Sequence, residues 1–133
     1  MIMEGIQISE LPVGDDRRGF SLAMPPEALQ FVGGVADVHV SACVPGVVRG
    51  NHYHRRKHRA IVVLPGAEWS LHWDEGEGTA IQCRDFDGTR AVLVLIPPGV
   101  SHAVRNDGNE TLLLVACSSA PYDASQVVAR KVV

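Results

Sequence analysis

Cysteine is scarce in this chain: Cys43, Cys83 and Cys117 are an odd number, widely spaced and without a Cys-x-x-Cys pair. That pattern fits reduced, buried thiols better than a disulfide framework or a zinc ribbon. No apolar run approaches the roughly 18 residues that a membrane span needs, so a soluble protein without a membrane partner is expected. The N-terminal stretch MIMEGIQISELPVGDD has acidic residues and no basic start before an apolar segment, which gives no sign of a signal or transit peptide and makes the cytoplasm the expected location. Basic residues do not predominate either: 12 Lys and Arg face 15 Asp and Glu, a net charge of -3, which argues against a general nucleic-acid binder. A Gly-rich phosphate loop and a Ser-His-Asp arrangement are both missing, so P-loop hydrolysis and serine-hydrolase chemistry are not expected. Long helical periods, internal repeats and linkers are missing as well.

The 133 residues suffice for one buried core and not for two, so a single domain over residues 1–133 is expected. Short β-type runs are predicted at 6–8, 35–42, 60–64, 69–73, 80–84, 91–96 and 111–117. Turn signals separate them, among them Pro45-Gly46, Pro65-Gly66, Asp87-Gly88 and Pro97-Pro98-Gly99. Many short strands at near-regular spacing predict an all-β sandwich or barrel. One helical turn is expected within 24–32. Runs such as VLVLI and LLLVA are apolar on both faces, which predicts two packed sheets with a second subunit against one of them, hence a homodimer. The tail VVARKVV is a candidate to pair with a partner's sheet edge.

Charge is not evenly spread. Arg49, Arg55, Arg56, Lys57 and Arg59 fall in one short segment together with His52, His54 and His58. His52 and His54 are two apart, so on a strand both side chains share a face, close enough to hold one metal ion or one substrate. His102 follows the Pro97-Pro98-Gly99 turn, which would aim it from a neighbouring hairpin into the same barrel.

These residues resemble the cupins. Their first motif, Gly, five residues and His-x-His, then a Glu and a closing Gly, is similar to Gly46, His52, His54 and Gly66. Their second motif, Pro-x-Gly-x-x-His-x-x-x-Asn, is matched by Pro97, Gly99, His102 and Asn106. The resemblance implies a cupin-type double-stranded β-helix, a jelly-roll barrel. Two departures stand out: Arg59 occupies the position of the metal-binding Glu, with His58 one residue earlier, and Ala91 replaces a turn glycine. The flanking segment RGNHYHR resembles the Arg-Gly-x-His-x-His-Lys element of cupins that act on nucleotide-linked sugars: the 3,4-ketoisomerases, the 3,5-epimerases and the C-terminal cupin of some polysaccharide-biosynthesis reductases. Asp16 to Phe20 and the stretch ACSSAPYD from Ala116 to Asp123 look like further elements of the same relatives.

That resemblance implies a small-molecule substrate, a keto sugar linked to a nucleoside diphosphate. Arg49 is then the first candidate for a phosphate contact, with Arg59 and Arg18 next, because a guanidinium offers two parallel donors. Trp73 is a candidate for stacking on base or sugar. His52 or His54 would serve as the base that removes a proton beside the carbonyl, since an unperturbed imidazole titrates near neutrality. A second His would be the acid; Tyr53 is the other option, although strand alternation sends it to the opposite face. Two alternatives stay open. One is a metal-dependent cupin on a non-nucleotide substrate, in which His52, His54, His102 and His58 hold one divalent transition metal (Zn, Fe, Ni, Cu or Mn). The other is a non-catalytic sugar-binding module. No organic cofactor is expected on any of the three.

Overall fold

The computed structural model describes residues 5–76 and 78–133. Strands run as β1 (Gln7–Leu11), β2 (Gly14–Asp16), β3 (Gly19–Ser21), β4 (Asp37–Cys43), β5 (Val48–His54), β6 (Arg59–Val63), β7 (Trp69–Trp73), β8 (Gln82–Phe86), β9 (Ala91–Ile96), β10 (His102–Asn106), β11 (Leu112–Ser118) and β12 (Val127–Ala129). A helix α1 (Pro26–Val32) separates β3 from β4. Strands β4 to β11 form one long hairpin folded over on itself: β4 pairs with β11, β5 with β10, β6 with β9 and β7 with β8, all antiparallel. The result is a jelly roll of two sheets, ordered β1-β9-β6-β11-β4 and β12-β5-β10-β7-β8, as expected for a cupin.

Alternation within the strands builds the core between the sheets. Ile61, Val63, Val92, Val94 and Ile96 point inward from the first sheet, and Trp69, Leu71, Trp73 and Val104 meet them from the second. Burying these side chains supplies about 1.5–3 kcal/mol each. The outward residues of β6 and β9 are also apolar, and for the VLVLI run of β9 this had implied a covering subunit. Instead, Ala28 and Val32 of α1, together with Leu11, cover Ala60, Val62, Leu93 and Leu95 from within the same chain. The helix is short because Pro26 opens it and Gly33, at φ 91°, closes it. The tail is likewise used internally: β12 pairs with β5 and so lines up against the strand that carries His52 and His54. All three cysteines are unpaired, Cys43 and Cys117 buried and Cys83 exposed. No helix among the described residues is long and apolar enough to cross a membrane.

Candidate active site

The histidines meet because their strands are neighbours. His102 on β10 lies directly opposite His52 on β5, and Gly99 in the preceding turn donates its N–H to the His54 carbonyl at 2.9 Å. The pairing of β5 with β10 is irregular: His102 faces His52, but Ala103 faces Gly50, so Asn51 is an extra residue in β5. This β-bulge, with Gly50 at φ 119° and Asn51 at φ 60°, has a functional consequence. In a regular strand Arg49 and His52, three apart, would point to opposite faces; the bulge returns both to the inner face, where Arg49 and Gly50 line the same cavity as His52 and His54.

That cavity, of about 480 Å³, opens between the two sheets. Ligating nitrogens of His52, His54 and His102 lie within 4.8 Å of one another. Arg59 enters from β6 on the other sheet and places its NH1 at 3.2 Å from His54 Nε2 and 3.4 Å from His102 Nε2. The His102 ring is fixed by Nδ1, which donates to the Val100 carbonyl at 3.0 Å and leaves Nε2 as the acceptor. His52 is the one of the three whose Nε2 is buried without a hydrogen-bond partner; His54 Nδ1 is buried and unpartnered as well.

Burial, and then the Arg59 charge, push His52 down to about 4 and His54 down to about 3, and lower His102 as well. All three imidazoles are therefore neutral near pH 7. The near-neutral value expected of an unperturbed base is not retained, because a desolvated ring beside a guanidinium resists a second positive charge.

A divalent cation would need the lone pairs of these imidazoles and a fourth donor. Two of the three instead face Arg59, which is permanently charged and has no lone pair to give, so the guanidinium competes with a cation for His54 and His102; His52, His54 and His102 are the residues that would hold a metal ion. His58 does not join them. Its ring meets Phe31 of α1 edge-on at 5.1 Å and its N–H donates to Ser119 Oγ at 2.9 Å.

Other residues expected at the site are spread out. Arg49 spans to β4, its Nε donating to the Ala42 carbonyl at 2.7 Å. Arg18 sits on the exposed β2-β3 hairpin in an ion pair with Asp16 and does not line the cavity. Trp73 is buried in the core, as is Trp69, which stacks on Phe86. Tyr53 is not among the lining residues.

Four titratable lining residues were not assigned to this site from sequence: Asp37, His39, Lys57 and Tyr122. Lys57 lay in the basic run and Tyr122 in the Pro-Tyr-Asp element, so both had a signal; Asp37 and His39 had none. Lys57 is buried, and burial followed by Arg59 pushes its ammonium down from the usual lysine range, while Asp37 acts in the other direction. Arg49, Lys57 and Arg59 against the single carboxylate Asp37 give the cavity an excess of positive charge.

Comparison with known proteins agrees with this architecture. No curated protein matches the sequence. Among solved structures, the chain is similar to ChmJ, a 3'-monoepimerase from Streptomyces bikiniensis in complex with dTDP-quinovose, at 23% identity over 97% of this chain and 71% of that one, TM-score 0.77. It is also similar to a dTDP sugar isomerase from Desulfovibrio desulfuricans (21% identity, 98% and 86% covered, TM-score 0.77). A third similar structure is the 3,4-ketoisomerase QdtA from Thermoanaerobacterium thermosaccharolyticum in complex with TDP (15% identity, 96% and 89% covered, TM-score 0.68). The family model for the polysaccharide biosynthesis C-terminal domain matches residues 16–127, most of the chain. The chain belongs to the polysaccharide biosynthesis C-terminal domain family.

Proposed function

We infer that the protein is an isomerase or epimerase of a keto sugar linked to a nucleoside diphosphate. One observation carries the reading: the partner-free Nε2 of His52 lies in the same small cavity as the Arg59 guanidinium, which already bonds the two neighbouring imidazoles. A neutral imidazole with a free lone pair is a base, and a buried fixed cation stabilises an oxyanion. The pair matches proton removal from a carbon beside a carbonyl. His52 takes the C–H proton, the C–H electrons move onto the carbonyl oxygen as the enolate forms, and Arg59 holds that charge. Return of a proton to the opposite face inverts the centre; passing it along an enediol moves the keto group. Tyr122, whose phenol lines the cavity, is the candidate acid.

The positive excess suits the diphosphate, with Arg49 and Lys57 as its partners. Similar proteins bind dTDP, TDP or dTDP-quinovose, which supports the nucleotide-sugar class. The unpaired thiols accord with a cytoplasmic setting. A homodimer is part of the same reading, supported by β4, which ends its sheet among the described residues and exposes Val38 and Val40 next to Leu113 of β11.

The test is to incubate the protein with a dTDP-4-keto-6-deoxy sugar in D2O and follow the ring protons by NMR. Deuterium is expected to replace hydrogen at a carbon beside the keto group. His52→Asn is expected to slow this by about 10²–10⁴-fold. Wild-type protein that binds dTDP yet exchanges no proton would reduce the chain to a binding module.

A further inference from the structure

The tail covers the outer edge of the histidine strand, and one side chain in that strand ties it there. Val127, Val128 and Ala129 pair with His54, Tyr53 and His52. The ladder extends at both ends, with Arg55 N–H donating to the Gln126 carbonyl and Arg130 N–H to the Asn51 carbonyl, each at 2.9 Å. Beyond it, Asn51 Oδ1 accepts from the N–H groups of Val132 at 2.8 Å and Val133 at 3.2 Å, and its Nδ2 donates to the Val133 carbonyl at 3.1 Å. A second tie is ionic. Arg130 Nε donates to Asp74 Oδ2 at 2.6 Å, and Asp74 is fully buried, next in sequence to Trp73, which pairs with His102. Without β12, β5 would be the exposed edge of its sheet. Val127 also lines the cavity, beside His54.

We propose that Asn51 and the Arg130–Asp74 pair are positioning residues, which clamp the strap 126–133 onto β5 and thereby hold His52 and His54 at the reaction centre and shield them from water. The inference rests on the isomerase reading for its catalytic consequence, though not for the clamp itself. Asn51 is suited to this role by its place in the bulge: at φ 60° its backbone turns out of the regular ladder, so its amide reaches three groups of the tail that no regular strand residue would meet. It touches neither the cavity nor the reacting groups.

The variants are Asn51→Gly, which keeps the left-handed backbone without strain and removes only the amide, Arg130→Gln, which breaks the ion pair, and Arg130→Lys as its conservative counterpart. The first readout needs no substrate. Carbethoxylation of neutral imidazoles by diethyl pyrocarbonate, resolved by peptide mass spectrometry, should proceed at least about fivefold faster at His52 and His54 in Asn51→Gly and Arg130→Gln, with the exposed His39 as unchanged internal reference, and return to near the wild-type rate in Arg130→Lys. Unchanged reactivity in Asn51→Gly overturns the clamp, and it does so even if Arg130→Gln fails to fold. The second readout is turnover of the keto nucleotide sugar: kcat should fall about tenfold or more with KM changed less than about threefold, since misplacement of the base weakens the chemical step and leaves the phosphate contacts intact. Faster carbethoxylation with kcat unchanged would leave a purely structural strap and overturn the positioning role. Wild-type protein without turnover would fail the isomerase reading alone, and the labelling arm would still decide the clamp.

Discussion

Arg59 is the residue on which the site turns. An arginine there, and not a carboxylate, bonds two of the imidazoles and, after burial, adds to what holds them neutral. Two consequences can be separated by Arg59→Met, which keeps length and loses charge. As the oxyanion's partner, its loss should lower kcat about 10²–10³-fold. As a cause of the depressed imidazoles, its loss should move the acid limb of the pH profile. In the wild type His52 is the base only when neutral, and it is neutral above about pH 4. The value of kcat/KM is therefore expected to stay flat from about pH 5 to 8, where an unperturbed imidazole would show a drop near 6.5. In Arg59→Met that limb should climb toward the ordinary value, incompletely, because burial is the larger cause and remains. A wild-type limb near 6.5 would show that His52 is solvated and take away the basis for its assignment.

Among the elements, β5 is the one whose irregularity makes the site. Gly50 has a positive φ, and a Cβ there would stand 2.5 Å from the His102 carbonyl oxygen and 2.8 Å from Ala103 Cα. Gly46, at φ 80°, has open space around it. Gly46→Ala should therefore cost only the backbone term, about 1–2 kcal/mol, whereas Gly50→Ala should cost more than about 3 kcal/mol and abolish activity by prising β5 from β10. Urea denaturation of the two variants side by side checks this, and equal losses would mean that β5 and β10 are less closely apposed than described. The same strand marks the limit of what could be read from sequence. His-x-His and the Pro-x-Gly-x-x-His turn were legible because period two and turn chemistry are local. Strand β5 itself was not among the β-type runs, since Gly50 and Asn51 interrupt any pattern, and the bulge that brings Arg49 to the cavity shows only once the partner strand is known. Trp73 illustrates the converse: a strand face can be read, but not whether that face meets a cavity or a packed core. A second subunit was expected over the doubly apolar run VLVLI because an apolar outer face specifies burial without specifying by what, and for β9 it is α1 of the same chain that supplies the cover.

At the scale of the molecule, two properties follow from how the sheets end. Among the described residues strand β4 ends its sheet, with Val40 69% and Val38 60% exposed, an arrangement that favours association. Sedimentation should give twice the chain mass for the wild type and a monomer for Val40→Glu; a monomeric wild type would remove the homodimer from the functional reading. The other property concerns pH. His52, His54 and His102 are neutral in the folded protein at pH values where the unfolded chain, with imidazoles near 6.5, would take up protons. Groups with folded values below their unfolded ones bind fewer protons in the native state, so stability rises with pH through that interval and levels off above about 6.5. Acidification from pH 7 toward 4.5 is thus expected to lower the urea midpoint steadily. The carboxylates lowered by local hydrogen bonds, Asp16, Asp87 and Asp123, are fully exposed and act only below that range. His54→Gln should flatten the slope by about one proton's share, since the replacement cannot charge in either state. A wild-type midpoint unchanged between pH 7 and 4.5 would mean that water reaches the imidazoles, in which case neither the desolvated base nor the strap that shields it could operate as described.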